Sequence, residues 1–568
     1  MVRTAPLLPL VALTASLSLS AAQNCPFLGP VYHADISASA LSAPLKAAGA
    51  AYDKAVDKAM AEGRIDGTQG FWGVDVYAAG DEPKKSLYSR YYTATNGTNV
   101  TAVTVGPDTV FRGFSISKLI TVYTFLAAVG DERWHEPITK YVPELARAGK
   151  KWAPERGGFD WEEVTLGALA GQISGLGKDY AMNDLSTLDL GGPVPGLRKL
   201  KDSEVVKCGA VGLKPCTREE SFQLLMNRYP LSIADNTPGY SNMAFQILSY
   251  AAENITGTPF PELIKRHLIQ PLGLKRTFVS SPGAKFPDSV IIPLAWDLEF
   301  GDLAPNAGYF ISTRDLSLLG RSILRSTLLP ARSTRAWLKA TSHTGYLMAS
   351  MGRPWEILRR NVAVSPGTSE VTRVTDLYTK QGGGTSSGYT TILSLATDYG
   401  VGLSIASAGS PVGDLFVLRD LFDEVFLPAL EETQRQQALA SFGGKYALDD
   451  NSTATVTVVD GEPALFLPVI TSEGTDYLDT IRQALGLGYK GFGAFLYPMG
   501  LNDGKKIAFR ATWGVPGKTV LKECASWAEH DRARYGGYPG DLFIFHVGKD
   551  GKATGLEIPL MGKTLRKL

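Results

Sequence analysis

Ser115-Ile116-Ser117-Lys118 is the only Ser-x-x-Lys tetrapeptide in the chain. Three residues apart on a helix, a serine and a lysine project from one face within hydrogen-bonding reach. A serine hydroxyl is a poor nucleophile until something takes its proton, and a lysine in apolar surroundings can take it, because burial disfavours the charged amine. The following residues, LITVYTFLAAV, have no polar face and supply those surroundings. Ser115 is expected at the N-terminal end of this helix, where free backbone N–H groups favour developing negative charge. Taken alone the motif is weak, because chance gives about one or two such tetrapeptides in a chain of this length. The plain alternative is an N-cap serine with a surface lysine.

Two further segments carry compatible chemistry. Tyr240-Ser241-Asn242 is the only Tyr-x-Asn, and it follows Pro238-Gly239 directly before a helical pattern. A tyrosine held between two ammonium groups is drawn toward its phenolate and so into range as a base. The plain alternative is a turn tyrosine with an N-cap asparagine. The second ammonium is Lys380, in YTKQGG at the end of an expected strand. Gly382 and Gly383 would let a substrate lie against the strand edge, and the Gly383 N–H could join that of Ser115 as an oxyanion hole.

The order Ser-x-x-Lys, Tyr-x-Asn, Lys-x-Gly resembles the serine β-lactamase and penicillin-binding-protein superfamily, in its class C and esterase-like branch. LGALAGQISG at 166 to 175, PGYSNMAFQILSYAAENITG and GTSSGYTTILSLATDYGVGLSIAS are similar to supporting segments of that family, and the resemblance covers residues 30 to 430. NCPFLGP, MGRPWEI and YGGYPGDLFIF resemble secreted fungal β-lactamase-like proteins with an added β domain. The resemblance implies Ser115 as the acylated nucleophile, Lys118 as its base and Tyr240 as acid and base for the leaving group and incoming acceptor. It further implies Lys380 as carboxylate anchor and electrostatic partner, and Asn242 as the residue that orients a substrate amide. Gln381 departs from the Thr or Ser common after that lysine, which argues against antibiotic-type carboxylate recognition. Gln172 stands where His is usual, a departure the sequence does not explain.

The elements that must position these groups follow from periodicity. LSAPLKAAGAAYDKAVDKAM reads as an amphipathic helix, FWGVDVYAA as a strand, and a strand pair follows from Leu87 to Thr95. VTLGALAGQISGLG reads as a helix ended by glycine, before a Gly/Pro-rich excursion from Gly177 to Tyr229. NMAFQILSYAAENITG and FPELIKRHLIQPLG read as helices with C-terminal glycine caps. From Val371 strands dominate, with a hairpin expected across Asp398 to Gly400, then a helix near Leu415 to Leu439. The expected class is α+β, with a β-lactamase/transpeptidase-like fold by the resemblance: an antiparallel sheet flanked by helices plus a helical subdomain, over 23–439. A β-rich domain over 440–568 follows it.

Residues 1–22 read as a secretory signal peptide, with the apolar stretch Pro6 to Leu19 running into Ser20-Ala21-Ala22. No later run is long enough for a membrane anchor, so a secreted protein is expected. Of the three pairings open to four cysteines, Cys208 with Cys216 and Cys25 with Cys524 is the one expected. Asn96, Asn99, Asn254 and Asn451 begin glycosylation sequons. With 57 Lys+Arg against 56 Asp+Glu in 568 residues, the chain carries no polybasic signature of nucleic-acid binding. The six histidines show no metal-site spacing, and GLGYKG at 486 to 491 lacks the helix a dinucleotide fingerprint needs. No metal or cofactor is implied. The expected partner is a small-molecule acyl substrate, with the oligomeric state open. A secreted serine hydrolase acting on an ester, amide or lactam is expected, the alternatives being acyl transfer to an alcohol of a small metabolite and a catalytically silent exported binding glycoprotein.

Overall fold

The computed structural model describes residues 26–95, 104–148, 159–182, 184–187, 195–202, 204–210, 212–283, 286–292, 295–365, 371–384, 388–487, 491–517, 526–528 and 530–568. The signal-peptide segment, Cys25, Cys524, Asn96, Asn99 and residues 488–490 of the glycine-rich stretch lie outside the described residues.

An eight-stranded antiparallel sheet organises the larger part of the chain. Its order is Tyr88–Tyr92, Phe71–Ala78, Val401–Ala408, Tyr389–Ala396, Thr372–Gly383, Glu356–Ala363, Ala349–Met351 and Ser342–His343. Phe71–Ala78, Tyr389–Ala396 and Val401–Ala408 are buried at every position, which is why they read as apolar or small runs without alternation. On one face, helices Ala43–Ala61 and Val412–Phe442 pack together, and Tyr52 donates to the Leu418 carbonyl at 2.9 Å. The other face carries helices Ile116–Ala128 and Thr313–Leu324. Gly320 lets the second of these lie close, since a Cβ there would sit 1.8 Å from the Tyr77 hydroxyl.

A helical subdomain wraps the helix Ile116–Ala128, contributing Leu166–Ala170, Arg218–Met226 and Met243–Thr256 to one shared core. Within the excursion after Gly177, the Cys208–Cys216 disulfide closes a loop next to a capping box of Thr217 and Glu220. The helix read from VTLGALAGQISGLG stops after five residues, Leu166–Ala170, because Gln172 adopts φ 61° and turns the chain. The strand pair expected from Leu87 to Thr95 is one strand, Tyr88–Tyr92. The hairpin across Asp398 to Gly400 is present, with Gly400 at φ 62°.

Beyond the long helix the chain closes into an eight-stranded barrel. Gly444–Asp449, Ser452–Val458, Leu465–Ser472, Gly493–Asn502, Lys506–Gly514, Leu542–Val547, Ala553–Ile558 and Lys563–Lys567 form it, and pairing of Ser452–Val458 with Leu465–Ser472 seals the ring. Closure removes the exposed edges that an open sheet would present. The helix Val412–Phe442 runs across the 439/440 boundary drawn from sequence, and its last turn belongs to the barrel core. Phe442 packs at 5.4 and 5.0 Å against the rings of Phe509 and Phe545. Val31 and Tyr32, from the start of the described chain, fill the same core.

Sheet and long helix are also tied by a buried charge network. Arg373, 1% exposed, donates to Glu431, 0% exposed, through Nε and Nη2 at 3.0 and 2.9 Å, and to Asp398 at 2.9 Å. Tyr399 adds a hydrogen bond to Glu431 at 2.8 Å. Removing one partner of such a pair leaves an uncompensated interior charge, at a cost of about 3–5 kcal/mol. Arg373→Met is therefore expected to lower the unfolding free energy by about that amount, read from the urea midpoint.

Candidate active site

The nucleophile's position is set by a short strand and a strained turn. Val110–Arg112 pairs with Phe310–Ser312 and leads into Gly113 and Phe114. Phe114 is buried and adopts φ 44°, a conformation uncommon for a bulky residue. Ser115 follows as the N-cap of helix Ile116–Ala128, yet its side chain makes no cap hydrogen bond, so the hydroxyl is left for other partners. Every residue from Ile116 to Leu126 is buried, as the missing polar face requires. Lys118, with no exposed surface, donates from Nζ to Ser115 Oγ at 2.9 Å and to the Asn306 carbonyl at 3.0 Å. Among the described residues no carboxylate pairs with it.

Tyr240 completes the contact from the other side, its hydroxyl 2.7 Å from Ser115 Oγ. Its loop is gripped by residues 172 to 179. Gly239 N–H donates to the Gln172 carbonyl at 2.8 Å, and Ser241 N–H to Gln172 Oε1 at 2.7 Å, so one buried glutamine brackets the tyrosine. Ser241 Oγ donates to the Gly177 carbonyl at 2.8 Å, and Asn242 N–H to that of Lys178 at 2.7 Å. Asn242 begins helix Met243–Thr256 but does not cap it with its side chain; Ser241 Oγ accepts from Ala244 N–H at 3.2 Å instead. The amide of Asn242 donates to Asp179 Oδ1 at 2.6 Å.

Lys380, 1% exposed, reaches the same tyrosine, its Nζ 5.6 Å from the ring centroid against 4.9 Å for Lys118. It is not a free cation. Its Nζ donates to Glu356 Oε1 at 2.6 Å and to the Gln381 carbonyl at 2.7 Å, while Gln381 N–H donates to Glu356 Oε2 at 3.2 Å. The role of carboxylate anchor implied by resemblance thus meets a carboxylate that the chain itself supplies. The two glycines are sterically required: a Cβ on Gly382 would lie 2.1 Å from the Gly113 carbonyl and 2.8 Å from the Ser115 nitrogen, and one on Gly383 1.9 Å from the Tyr389 carbonyl. The strand end can therefore press against the start of the nucleophile's helix.

Electrostatics follow from this packing. Burial lowers the Lys118 pKa, Tyr240 pulls it upward, and the neighbouring Lys380 ammonium lowers it further; the net shift is downward. For Tyr240 burial pushes upward, but the Lys118 and Lys380 cations outweigh it, and the phenol is lowered. Lys380 is drawn the other way: burial lowers it, yet Glu356 and Tyr240 leave it raised. The hydroxyl therefore sits between an amine whose charged form burial disfavours and a phenol whose anion the neighbouring amines favour when they are protonated. Ser115 and Tyr240 keep partial exposure and Gln381 is open to solvent, so a carbonyl compound has an approach.

The structure brings Ser115, Lys118, Tyr240, Lys380, Gly382 and Gly383 together, with Asn242 two residues beyond the tyrosine. Sequence reasoning missed Glu356 and Asp179; the PWEI segment held Glu356, but nothing in its spacing marks a partner for a strand 24 residues later. Among the described residues, no three or more His, Cys, Asp or Glu are placed to hold a metal ion. Residues 53–423 match a family model described as Beta-lactamase. The chain belongs to the beta-lactamase family. Residues 434–568 of this beta-lactamase family member match a second model, described as Beta-lactamase-like-like, C-terminal domain. A Beta-lactamase-like protein of Arthroderma benhamiae is 29% identical over 85% of this chain and 85% of its own. Probable hydrolase M10 of a Phoma species is 24% identical over 70% and 66%. A solved Beta-lactamase/D-alanine carboxypeptidase from Yersinia pestis has a TM-score of 0.47 and 18% identity over 67% of this chain and 98% of its own.

Gln172→Leu removes the acceptor for the Ser241 N–H beside the tyrosine. A displacement of about 1 Å at a reacting group can cost on the order of a hundredfold. The rate at which a fluorophosphonate acylates this variant is expected to fall about 10- to 100-fold, with the fold retained by circular dichroism.

Proposed function

We propose that this beta-lactamase family member is a serine hydrolase that works through an acyl-enzyme on Ser115. The observation that carries the reading is the double contact on one hydroxyl, with Lys118 Nζ at 2.9 Å and Tyr240 Oη at 2.7 Å from Ser115 Oγ. In the first step the Oγ proton passes to the neutral amine of Lys118, and the Oγ to carbonyl-carbon bond forms as the carbonyl π electrons move onto oxygen. Backbone N–H groups of Ser115 and Gly383 receive that oxyanion, a role in which losing one donor typically costs 10²- to 10³-fold in rate. The bond to the leaving group then breaks, and Tyr240 supplies the proton the departing oxygen or nitrogen takes. Water then attacks the acyl carbon as its proton passes to the Tyr240 phenolate, the Oγ to carbon bond breaks, and the Lys118 ammonium returns its proton to Ser115 Oγ as the acid leaves.

The substrate side of the site favours an uncharged ester or amide over a carboxylate-bearing lactam. Glu356 already occupies both Lys380 Nζ and the Gln381 N–H, and Gln381 replaces a hydroxyl donor with an exposed amide. A substrate carboxylate brought there would face Glu356 as a like charge. The name of a relative, Probable hydrolase M10, accords with a hydrolase.

We also propose that the protein is exported and glycosylated. The apolar segment from Pro6 to Leu19, the Cys208–Cys216 disulfide and the exposure of Asn254 and Asn451 support that reading.

A fluorophosphonate probe should form one covalent adduct, on Ser115 by peptide mapping; Ser115→Ala should give none, and a wild type that stays unlabelled would defeat the reading. Acylation should rise with pH as Lys118, the base of the first step, loses its proton, on a limb below the ordinary lysine range. Lys380 lowers both groups, so Lys380→Met raises both, and the limb is expected to move to higher pH.

A further inference from the structure

Asn242 and Asp179 flank the reacting groups without taking part in the proton transfers above. Asn242 Nδ2 donates to Asp179 Oδ1 at 2.6 Å. An ionised carboxylate only accepts hydrogen bonds, so this contact fixes which end of the asparagine amide is which. The amino end is committed to Asp179 and the carbonyl oxygen Oδ1 is left over. The backbone of Asn242 is held as well, through its bond to the Lys178 carbonyl at 2.7 Å. Burial raises the Asp179 carboxyl, and the Asn242 amide and the charges of Lys118, Lys178 and Arg228 offset only part of that rise. Both residues keep partial exposure, and the charge of Asp179 is felt at Lys118. No described group donates to Asn242 Oδ1 or to Asp179 Oδ2.

We propose that Asn242 and Asp179 form an acceptor-only subsite that binds an O–H or N–H donor of the substrate, a hydroxyl, amide N–H or ammonium, close to the scissile carbonyl. The inference rests on the acyl-enzyme reading and adds the substrate class to it. An ether or carbonyl oxygen in the same place would set lone pair against lone pair and leave both acceptors without a partner. Sites built to meet a substrate donor discriminate strongly against analogues that lack it. The subsite describes a site for acyl compounds bearing hydroxyl or amino groups near the scissile carbonyl.

The test uses the full-length protein and two ester series. The first pairs 4-nitrophenyl esters of 2-hydroxyacyl and 2-aminoacyl groups with 2-methoxyacyl and 2-methyl counterparts. The second pairs acetate esters of ethane-1,2-diol with those of 2-methoxyethanol. At least one series is expected to show a donor-over-acceptor ratio in kcat/KM of about tenfold or more in the wild type. Asp179→Asn is nearly isosteric and frees the Asn242 amide to present either end, so that ratio should fall toward one. A wild type that turns over esters of both series without discrimination overturns the subsite, as does an Asp179→Asn variant that keeps the full ratio. Failure of the fluorophosphonate to label Ser115 would instead strike the acyl-enzyme reading, which keeps the two failures apart. Should Asp179→Asn not fold, the wild-type ratio alone decides.

Discussion

The site depends on keeping one amine out of water without giving it a carboxylate. Lys118 lies on a helix buried on all sides, and its hydrogen-bond partners are a hydroxyl and a backbone carbonyl. A buried ammonium in that position is costly, and the cheapest response is to shed the proton. The other charges nearby can be understood as arrangements that preserve this condition. Glu356 is close enough to neutralise Lys380, and it bonds Lys380 and not Lys118. Asp179 is occupied by Asn242. Had either carboxylate reached Lys118, the amine would be held protonated and would serve as an ion-pair partner with nothing to offer a serine.

Holding that amine in place takes most of the larger domain. The helix that carries it has no polar stripe and cannot lie on a surface, so it needs cover from the sheet on one side and from the helical subdomain on the others. The close approach of the strand end Gly382-Gly383 to Gly113 and Ser115 is part of the same cover, and Thr391 from the adjoining strand donates to the Gly113 carbonyl at 2.9 Å. Rigidity at the turn comes from the same packing. Phe114 can be held in a left-handed conformation because its ring is buried among Phe300, Tyr389 and the Arg112 guanidinium.

Much of this was legible in the chain, and the legible part has a common cause. The Ser115 helix, the Tyr240 loop and the Lys380 strand each announce themselves locally, through an apolar run, a Pro-Gly turn or a glycine pair. The class α+β, the hairpin at Gly400 and the strand-rich C-terminal region follow from short-range periodicity in the same way. What escaped is what depends on tertiary pairing. Glu356 and Asp179 are single acidic residues whose partners lie 24 and 63 positions away, and no local pattern points to them. Gln172 was visible as an odd residue, but its function as the bracket on Tyr240 exists only once two loops meet. The helix that crosses 439/440 hides its own transition, because it continues into the barrel core and changes partners without changing its periodicity.

That shared helix bears on how the two domains relate. Its first two-thirds pack against the sheet and against helix Ala43–Ala61, and its last turn plugs the barrel with Ala438 and Phe442. Arg373 fixes the same helix to the strand that carries Lys380, seven residues further along. A strand anchored by a buried guanidinium at one end and by two sterically required glycines at the other has little freedom to slide. Sliding by one residue would turn Lys380 to the opposite face of the sheet. The barrel therefore has a physical connection to the chemistry without contributing a side chain to it: it holds the end of the helix to which the lysine's strand is tied.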